Sequence, residues 1–222
     1  QHERGRPEEL LKAIDNDCGT CVALLLDAGV TFDPNEASSG TGISWFRYIG
    51  MSAGPKTLVA FVEHGFRLDA TDDEGNTLLH RAAQGQRIDT IQWLLARSLQ
   101  VDARNERGET PLMLAAYALE PNIVRALLEA KADVSLHDRD QHTAKWNARW
   151  SDHNDEKKRT AVIALLEQHG ASEYVGREMP HSHYDAELDR ARLSEDVTGE
   201  IYEQLPTLGR QLRFFRVALK DR

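Results

Sequence analysis

Length, composition and charge narrow the class of this protein. The 222 residues are 41% hydrophobic and 28% charged, which is typical of a soluble globular protein with a sizeable core, and no apolar run approaches the roughly 20 residues of a membrane span. The net charge of −9 argues against nucleic acid and anionic membranes as main partners and suits a basic protein, while two cysteines exclude a disulfide-rich scaffold.

The first residues predict a pair of helices. Residues 8–14 and 18–28 are rich in leucine and alanine, and Gly29 suits the left-handed stop after the second helix. Cys18 and Cys21 have the spacing of a thioredoxin-like redox pair, but a site of that type needs a preceding strand and a βαβ context. Because leucine-rich helices surround the two cysteines, we expect an ordinary helix here.

The start of the sequence also bears on the location of the protein. The first residue is Gln1 rather than a methionine, so we expect the native start to be missing or processed. A cytoplasmic location is favoured, and the periplasm is the alternative if a signal segment was removed.

A second pair of helices is expected over residues 45–53 and 56–64, after a turn-rich loop. Beyond it the chain becomes periodic, because a threonine recurs every 33 residues at Thr77, Thr110 and Thr143. Gly108 suits a tight turn, Thr110 can cap a helix, and Pro111 suits the first helical position. This order of turn, two helices and return loop, repeated every 33 residues, resembles an ankyrin repeat.

The resemblance is strong for residues 73–138 and implies an all-α fold, an ankyrin-repeat solenoid of about five repeats with a helical C-terminal extension. The repeat domain is expected over residues 1–173 and the extension over 174–222. The repeats are expected at about 1–36, 37–70, 71–104, 105–137 and 138–173.

The fifth repeat departs from the pattern. Gln141 replaces the turn glycine, and a charged insertion over Ser151–Lys158 precedes a helix over residues 159–168. The insertion is expected to be a solvated loop, with contact to a partner as the alternative. In the extension, His181, His183 and Asp185 could offer metal ligands, but no second group of ligands supports a site. We expect the extension to cap the last repeat, with a separate partner-binding arm as the alternative.

The ankyrin resemblance implies a partner-binding concave face, made of turn tips and the exposed side of each first helix. Aromatic residues and methionine there suit the centre of an interface, although Tyr117 and Trp150 could instead pack under the extension. The helix positions are Met51, Gln84, Tyr117 and Trp150. The turn tips are Asp73, Glu74, Asn76, Glu106, Arg107, Glu109, Arg139, Asp140 and His142.

No catalytic motif was found, and we expect neither an enzyme nor a cofactor or metal. His80 matches the family position where a histidine orders the turn. The resemblance implies a protein-binding module that is a monomer alone and forms a complex with its partner. An inhibitor or immunity protein that neutralises a toxin or effector enzyme is favoured, since acidic ankyrin proteins occur as immunity proteins in bacterial toxin systems. The alternatives are a regulatory scaffold or adaptor and, last, chemistry in the extension or at the cysteine pair.

Overall fold

The part of the chain that the structure describes is a row of five helix pairs. The computed structural model describes residues 7–36 and 42–172, and these contain helices but no β-strand. The helices are α1 (Pro7–Asp15), α2 (Gly19–Asp27), α3 (Trp45–Ser52), α4 (Pro55–Glu63), α5 (Leu78–Gln84), α6 (Ile88–Leu95), α7 (Pro111–Tyr117), α8 (Pro121–Glu129), α9 (Ala144–Arg149) and α10 (Glu156–Gln168).

Successive pairs stack in two layers. The first helices of the pairs contact one another in the order α1, α3, α5, α7 and α9, and the second helices do the same from α2 to α10. Each layer therefore buries one face of every repeat against its neighbours, as a solenoid requires. The expected all-α solenoid is confirmed.

Small residues allow the first helices to approach closely. Ala82, Ala83, Ala115 and Ala116 are fully buried between α5, α7 and their neighbours. Leucines of the second helices fill the space behind them, including Leu94 and Leu127. One continuous apolar core consequently runs through all five pairs.

The threonine before a first helix caps that helix, as the sequence predicts. The hydroxyl of Thr110 accepts a hydrogen bond from the backbone N–H of Met113, and Pro111 occupies the first helical position, where no donor is needed. The hydroxyl of Thr143 accepts from the N–H of Trp146 in the same way. Together with Thr77 before α5, the 33-residue spacing of these threonines therefore marks the starts of α5, α7 and α9.

Two predictions about helix and tail boundaries need comment. Helix α10 begins at Glu156, so the prediction that Glu156–Lys158 belong to a loop was wrong. The carboxylate of Asp155 accepts the backbone N–H of Lys158 at 2.9 Å and caps the helix three residues earlier than expected. The extension at 174–222, including His181, His183 and Asp185, lies outside the described residues.

Gln141 adopts a backbone conformation that favours glycine. Its φ is 66°, close to the 75° of Gly75 and the 78° of Gly108 at the matching turn positions. We predict that Gln141→Gly raises the free energy of unfolding by about 0.5–1 kcal/mol, because relief of the left-handed strain exceeds the added entropy of the unfolded chain. Urea denaturation measures the change. The converse variant Gly108→Gln should be destabilised, and equal stability of Gln141→Gly and the parent would contradict the prediction.

Candidate protein-binding surface

Three turns between the helix pairs share one hydrogen-bonding scheme. In the first turn, Oδ1 of Asp72 accepts the backbone N–H groups of Glu74 and Asn76 at 3.1 and 2.8 Å. Side-chain acceptors at this position favour a compact polar turn. The same scheme recurs from Asn105 to Arg107 and Glu109 and from Asp138 to Asp140 and His142.

Backbone hydrogen bonds connect each turn to the next. The N–H of Glu106 donates to the carbonyl of Glu74 at 3.0 Å, and the N–H of Arg139 donates to the carbonyl of Arg107 at 2.9 Å. This turn ladder, the two backbone bonds that link residues 74, 106, 107 and 139, holds the tips in register without using their side chains.

Most of the turn-tip residues selected from the sequence present side chains to solvent. Glu109 and His142 are half-buried. The exposed residues are Asp73, Glu74, Glu106, Arg107, Arg139 and Asp140.

Asn76 is the exception among the predicted turn-tip residues, because it is only 1% exposed. Its side-chain oxygen accepts from Nδ2 of Asn105 at 3.0 Å, and its amide nitrogen donates to Oε2 of Glu74 at 3.1 Å. The Asn76 side chain therefore links two turns and is enclosed rather than presented to solvent.

A buried arginine supports part of the surface and was missed from the sequence. The Arg81 side chain is 2% exposed, and its Nε donates to Oδ2 of Asp72 at 2.6 Å. Its two terminal nitrogens donate to Oε1 of Gln84 and Oε2 of Glu74, each at 2.8 Å. Arg81 thus fixes two of the predicted contact residues. The sequence feature that could have predicted this role is an arginine inside the largely apolar helix Leu78–Gln84, nine residues after Asp72.

Aromatic side chains lie where repeats four and five meet. Tyr117 is 39% exposed, and its hydroxyl donates to Oδ2 of Asp152 at 2.9 Å. Trp150 is half-buried with its ring centroid 6.4 Å from that of Trp146, which stacks on His142 at 3.4 Å. We refer to Tyr117 and the ring group of Trp150, Trp146 and His142 together as the aromatic cluster, which reaches the third turn through His142.

The charged insertion folds back on this aromatic cluster. Ser151 is buried, and its hydroxyl donates to the backbone carbonyl of Tyr117 at 2.6 Å. The His153 ring makes an edge contact with Tyr117 at 5.8 Å, and Arg159 donates to the His153 carbonyl at 2.6 Å. Asp152 and His153, which the sequence placed in an insertion expected to be solvated, therefore border the predicted contact residue Tyr117.

The two remaining helix positions are more enclosed. Met51 is half-buried, and its backbone lies so close to Gly85 that a side chain there would meet it. Gln84 is half-buried with its carbonyl oxygen bound to Arg81. Both line the surface as partly covered residues.

His80 links its own turn to the next one. Its Nδ1 accepts the backbone N–H of Thr77 at 3.1 Å, so its Nε2 carries the proton and donates to the Glu109 carbonyl at 3.0 Å. Burial lowers the pKa of His80, against a smaller raising effect of the Glu109 carbonyl. The structure therefore holds a neutral imidazole, in the turn-ordering place that the sequence predicts.

The lowered pKa of His80 predicts a loss of stability in acid. The unfolded histidine binds a proton near pH 6.5 whereas the folded one does so only at lower pH, so the free energy of unfolding should fall as pH decreases below about 6.5. Urea denaturation at pH 7.5 and 5.5 measures this. His80→Gln retains an acceptor for Thr77 without titrating, and its stability should change less between the two pH values. An equal change in parent and variant would contradict the prediction.

Asp138, Asp140 and His142 bring three ligand atoms within 4.8 Å of one another. The turn already accounts for this grouping, since Asp138 accepts the N–H groups of Asp140 and His142. Burial raises the pKa of Asp138, but hydrogen bonds from His142 and Asp140 outweigh it, and the pKa lies below its usual value. The carboxylate is therefore stabilised by the turn itself.

Comparison with known proteins gives the family. Residues 50–140 match the family model for ankyrin repeats in three copies. Residues 50–140 of this chain are therefore ankyrin repeats. The chain is 36% identical over 110 residues to neurogenic locus notch homolog protein 4 of Homo sapiens. This alignment covers 49% of this chain and 5% of that protein. It is 31% identical over 166 residues to ankyrin repeat and SAM domain-containing protein 6 of Danio rerio, covering 58% of this chain and 22% of that protein.

A third relative is transient receptor potential cation channel subfamily A member 1 of Homo sapiens, with 33% identity over 78 residues, 35% of this chain and 7% of that protein. The chain thus spans at most 22% of the length of these three relatives. The ankyrin repeats make this part of the chain a protein–protein interaction module. Within the described residues no helix combines the length and hydropathy required to cross a membrane.

Proposed function

We propose that this ankyrin-repeat protein captures a basic protein partner on its turn tips and aromatic cluster, and that it acts as an inhibitor or immunity protein that neutralises a toxin or effector enzyme. The observation that carries the proposal is the ring group of Trp150, Trp146 and His142, which shares the third turn with the exposed Asp140, together with the partly exposed Tyr117. Aromatic anchors inside a charged rim are the usual composition of a tight interface.

Charge supports the choice of a basic partner. The exposed turn-tip residues comprise four acidic groups and two basic ones, in a chain of net charge −9. They are Asp73, Glu74, Glu106 and Asp140, and Arg107 and Arg139. A surface of one predominant sign speeds association with a partner of the opposite sign, and the effect weakens as salt rises. An inhibitor of a toxic enzyme benefits from such rapid capture.

A second function, that of a regulatory scaffold or adaptor, is favoured by the size of the relatives. Each of the three is several times longer than the stretch that it shares with this chain. An adaptor would bind its partner more weakly and leave any catalytic activity of that partner intact, whereas an inhibitor should bind at nanomolar Kd or tighter and abolish the activity.

The test is affinity capture from the source organism followed by reconstitution with the purified partner. The inhibitor function predicts one stoichiometric partner that is toxic when expressed alone and inactive when this chain is added. Several substoichiometric partners with unchanged activity would favour the adaptor.

The double variant Tyr117→Ala/Trp150→Ala should weaken binding to that partner at least about 30-fold, which corresponds to about 2 kcal/mol for an interface centre. Val62→Ala is the matched control, since Val62 on α4 is 39% exposed, as Tyr117 is, but lies in the layer of second helices. Isothermal titration calorimetry measures Kd, and circular dichroism checks the fold. Unchanged affinity in the folded double variant would remove the aromatic cluster from the interface.

A further inference from the structure

The cysteine pair sits at the beginning of α2 and is joined in a disulfide. The bond links Cys18 and Cys21, which are three positions apart. Cys18 is the N-cap of α2, and its sulfur accepts the backbone N–H of Cys21 at 3.3 Å. Cys21 is exposed and Cys18 is half-buried. The expected helix is therefore present, and the disulfide joins its N-cap to its first turn.

Stability is a poor explanation for this disulfide. A disulfide restricts the unfolded chain less as its loop becomes shorter, and this one encloses only Gly19 and Thr20. Other contacts already hold the segment, because the N–H of Cys18 donates to the Ala13 carbonyl at 2.9 Å and Oδ1 of Asp17 accepts the N–H of Thr57 at 3.0 Å. The link from the first helix pair to the second thus does not depend on the sulfur–sulfur bond.

The surroundings of the two sulfurs favour exchange chemistry. A thiolate at the N-cap is stabilised by the free N–H groups and the positive end of the helix dipole. Cys18 has this position, with the Thr20 hydroxyl also 3.5 Å from its sulfur. The exposed Cys21 is open to an incoming thiol. A better-stabilised thiolate leaves faster in thiol–disulfide exchange, so Cys18 is suited to leave and Cys21 to be attacked.

We propose that Cys18 and Cys21 form a thiol–disulfide exchange site whose substrate is a dithiol. One thiolate of the dithiol attacks the Cys21 sulfur, the Cys18–Cys21 bond breaks, and Cys18 leaves as a thiolate capping α2. The second thiolate of the dithiol then attacks the first dithiol sulfur, which is bonded to Cys21 in the mixed disulfide, and Cys21 is released as a thiolate. The protein gains two electrons and, after protonation of both sulfurs, two protons, and the dithiol is oxidised to a disulfide.

This site is separate from the turn tips and does not rest on the proposed partner. The turn ladder joins residues 74, 106, 107 and 139. The disulfide lies instead at the start of α2, the second helix of the first pair, next to Lys56. Gly19 packs so closely there that a Cβ would lie 2.4 Å from the Lys56 carbonyl oxygen. Since this contact is made by backbone atoms rather than by either sulfur, the helix should keep its place when the disulfide opens.

The whole chain is equilibrated with dithiothreitol and, separately, with graded mixtures of reduced and oxidised glutathione, and the free thiols are alkylated and counted by mass spectrometry. We expect reversible conversion between zero and two thiols, reduction by glutathione at millimolar concentration, and an unchanged circular dichroism spectrum. A disulfide that stays closed in every glutathione mixture would overturn the proposal. Loss of helix signal on reduction would also overturn it, because the bond would then be a structural link.

Two single variants assign the roles of the sulfurs. Cys21→Ser leaves the Cys18 thiol alone at the N-cap, and the pH dependence of its alkylation by iodoacetamide should give a pKa below the ordinary 8.5. Cys18→Ser is the matched control, since serine retains an N-cap oxygen and leaves only Cys21, whose pKa should be the higher of the two. The reverse order, or a Cys18 pKa at or above 8.5, would contradict the assignment of Cys18 as the leaving group.

Discussion

Replacement of Arg81 by methionine will lower the free energy of unfolding by about 3–5 kcal/mol, because it leaves the carboxylate of Asp72 buried without its cation. The two side chains are 2% and 1% exposed, so water cannot take the place of the guanidinium. Methionine is long and apolar enough to fill much of the space, so the measured loss will report the uncompensated charge more than a cavity. Urea denaturation at pH 7 measures the change.

A rescue and a control separate this cause from others. Adding Asp72→Asn to Arg81→Met should recover part of the loss, because the amide oxygen still accepts the turn N–H groups and no charge is buried. Arg67→Met removes the exposed pair with Asp69, and its unfolding midpoint should barely move. If Arg81→Met were no more destabilised than Arg67→Met, the buried ion pair would not stabilise the fold.

The second large effect is expected at Gly85, where Gly85→Ala should cost about 1–3 kcal/mol by overpacking. Its φ of −78° is comfortable for alanine, so backbone conformation alone would predict a small gain in stability. The neighbouring repeat prevents this, because a Cβ on Gly85 would lie 2.2 Å from the backbone oxygen of Met51. Helices α3 and α5 would have to separate to make room.

The next repeat provides the comparison for Gly85. Ala118 lies 33 residues later, with the same helix-end conformation and φ of −69°. Ala118→Gly should lose about 0.5–1 kcal/mol through the added freedom of the unfolded chain, without steric relief. Thermal and urea unfolding of both variants give the sign at each position. Increased stability of Gly85→Ala would show that the contact with Met51 yields easily.

The parts of the fold that depend on local chemistry could be predicted from the sequence. A threonine that caps a helix, a proline at the first helical position and a glycine in a left-handed turn act through their immediate neighbours, so their 33-residue recurrence located the helix pairs. Gln141 illustrates how far this extends. The sequence identified it as a departure at a glycine position, and the structure retains the positive φ there.

Features that depend on the adjoining repeat were harder to predict. Asn76, Glu109 and His142 occupy equivalent turn positions, yet Asn76 is fully enclosed because the Asn105 side chain reaches back to it. Arg81 was missed for a different reason, since its partners come from the turn and the helix end of its own repeat, which spacing alone does not bring together. A periodic pattern records which positions are equivalent, but not which side chains bridge between them.

The turn ladder has a consequence for how such a surface changes over evolutionary time. Its two bonds join backbone atoms, so the exposed side chains of Glu106, Arg107 and Arg139 can be exchanged without removing a link between repeats. Selection for a new partner can therefore act on these tips almost independently of selection for folding. The buried Asp72 and Arg81 are outside this freedom, and descendants of the chain should retain them while the tips diverge.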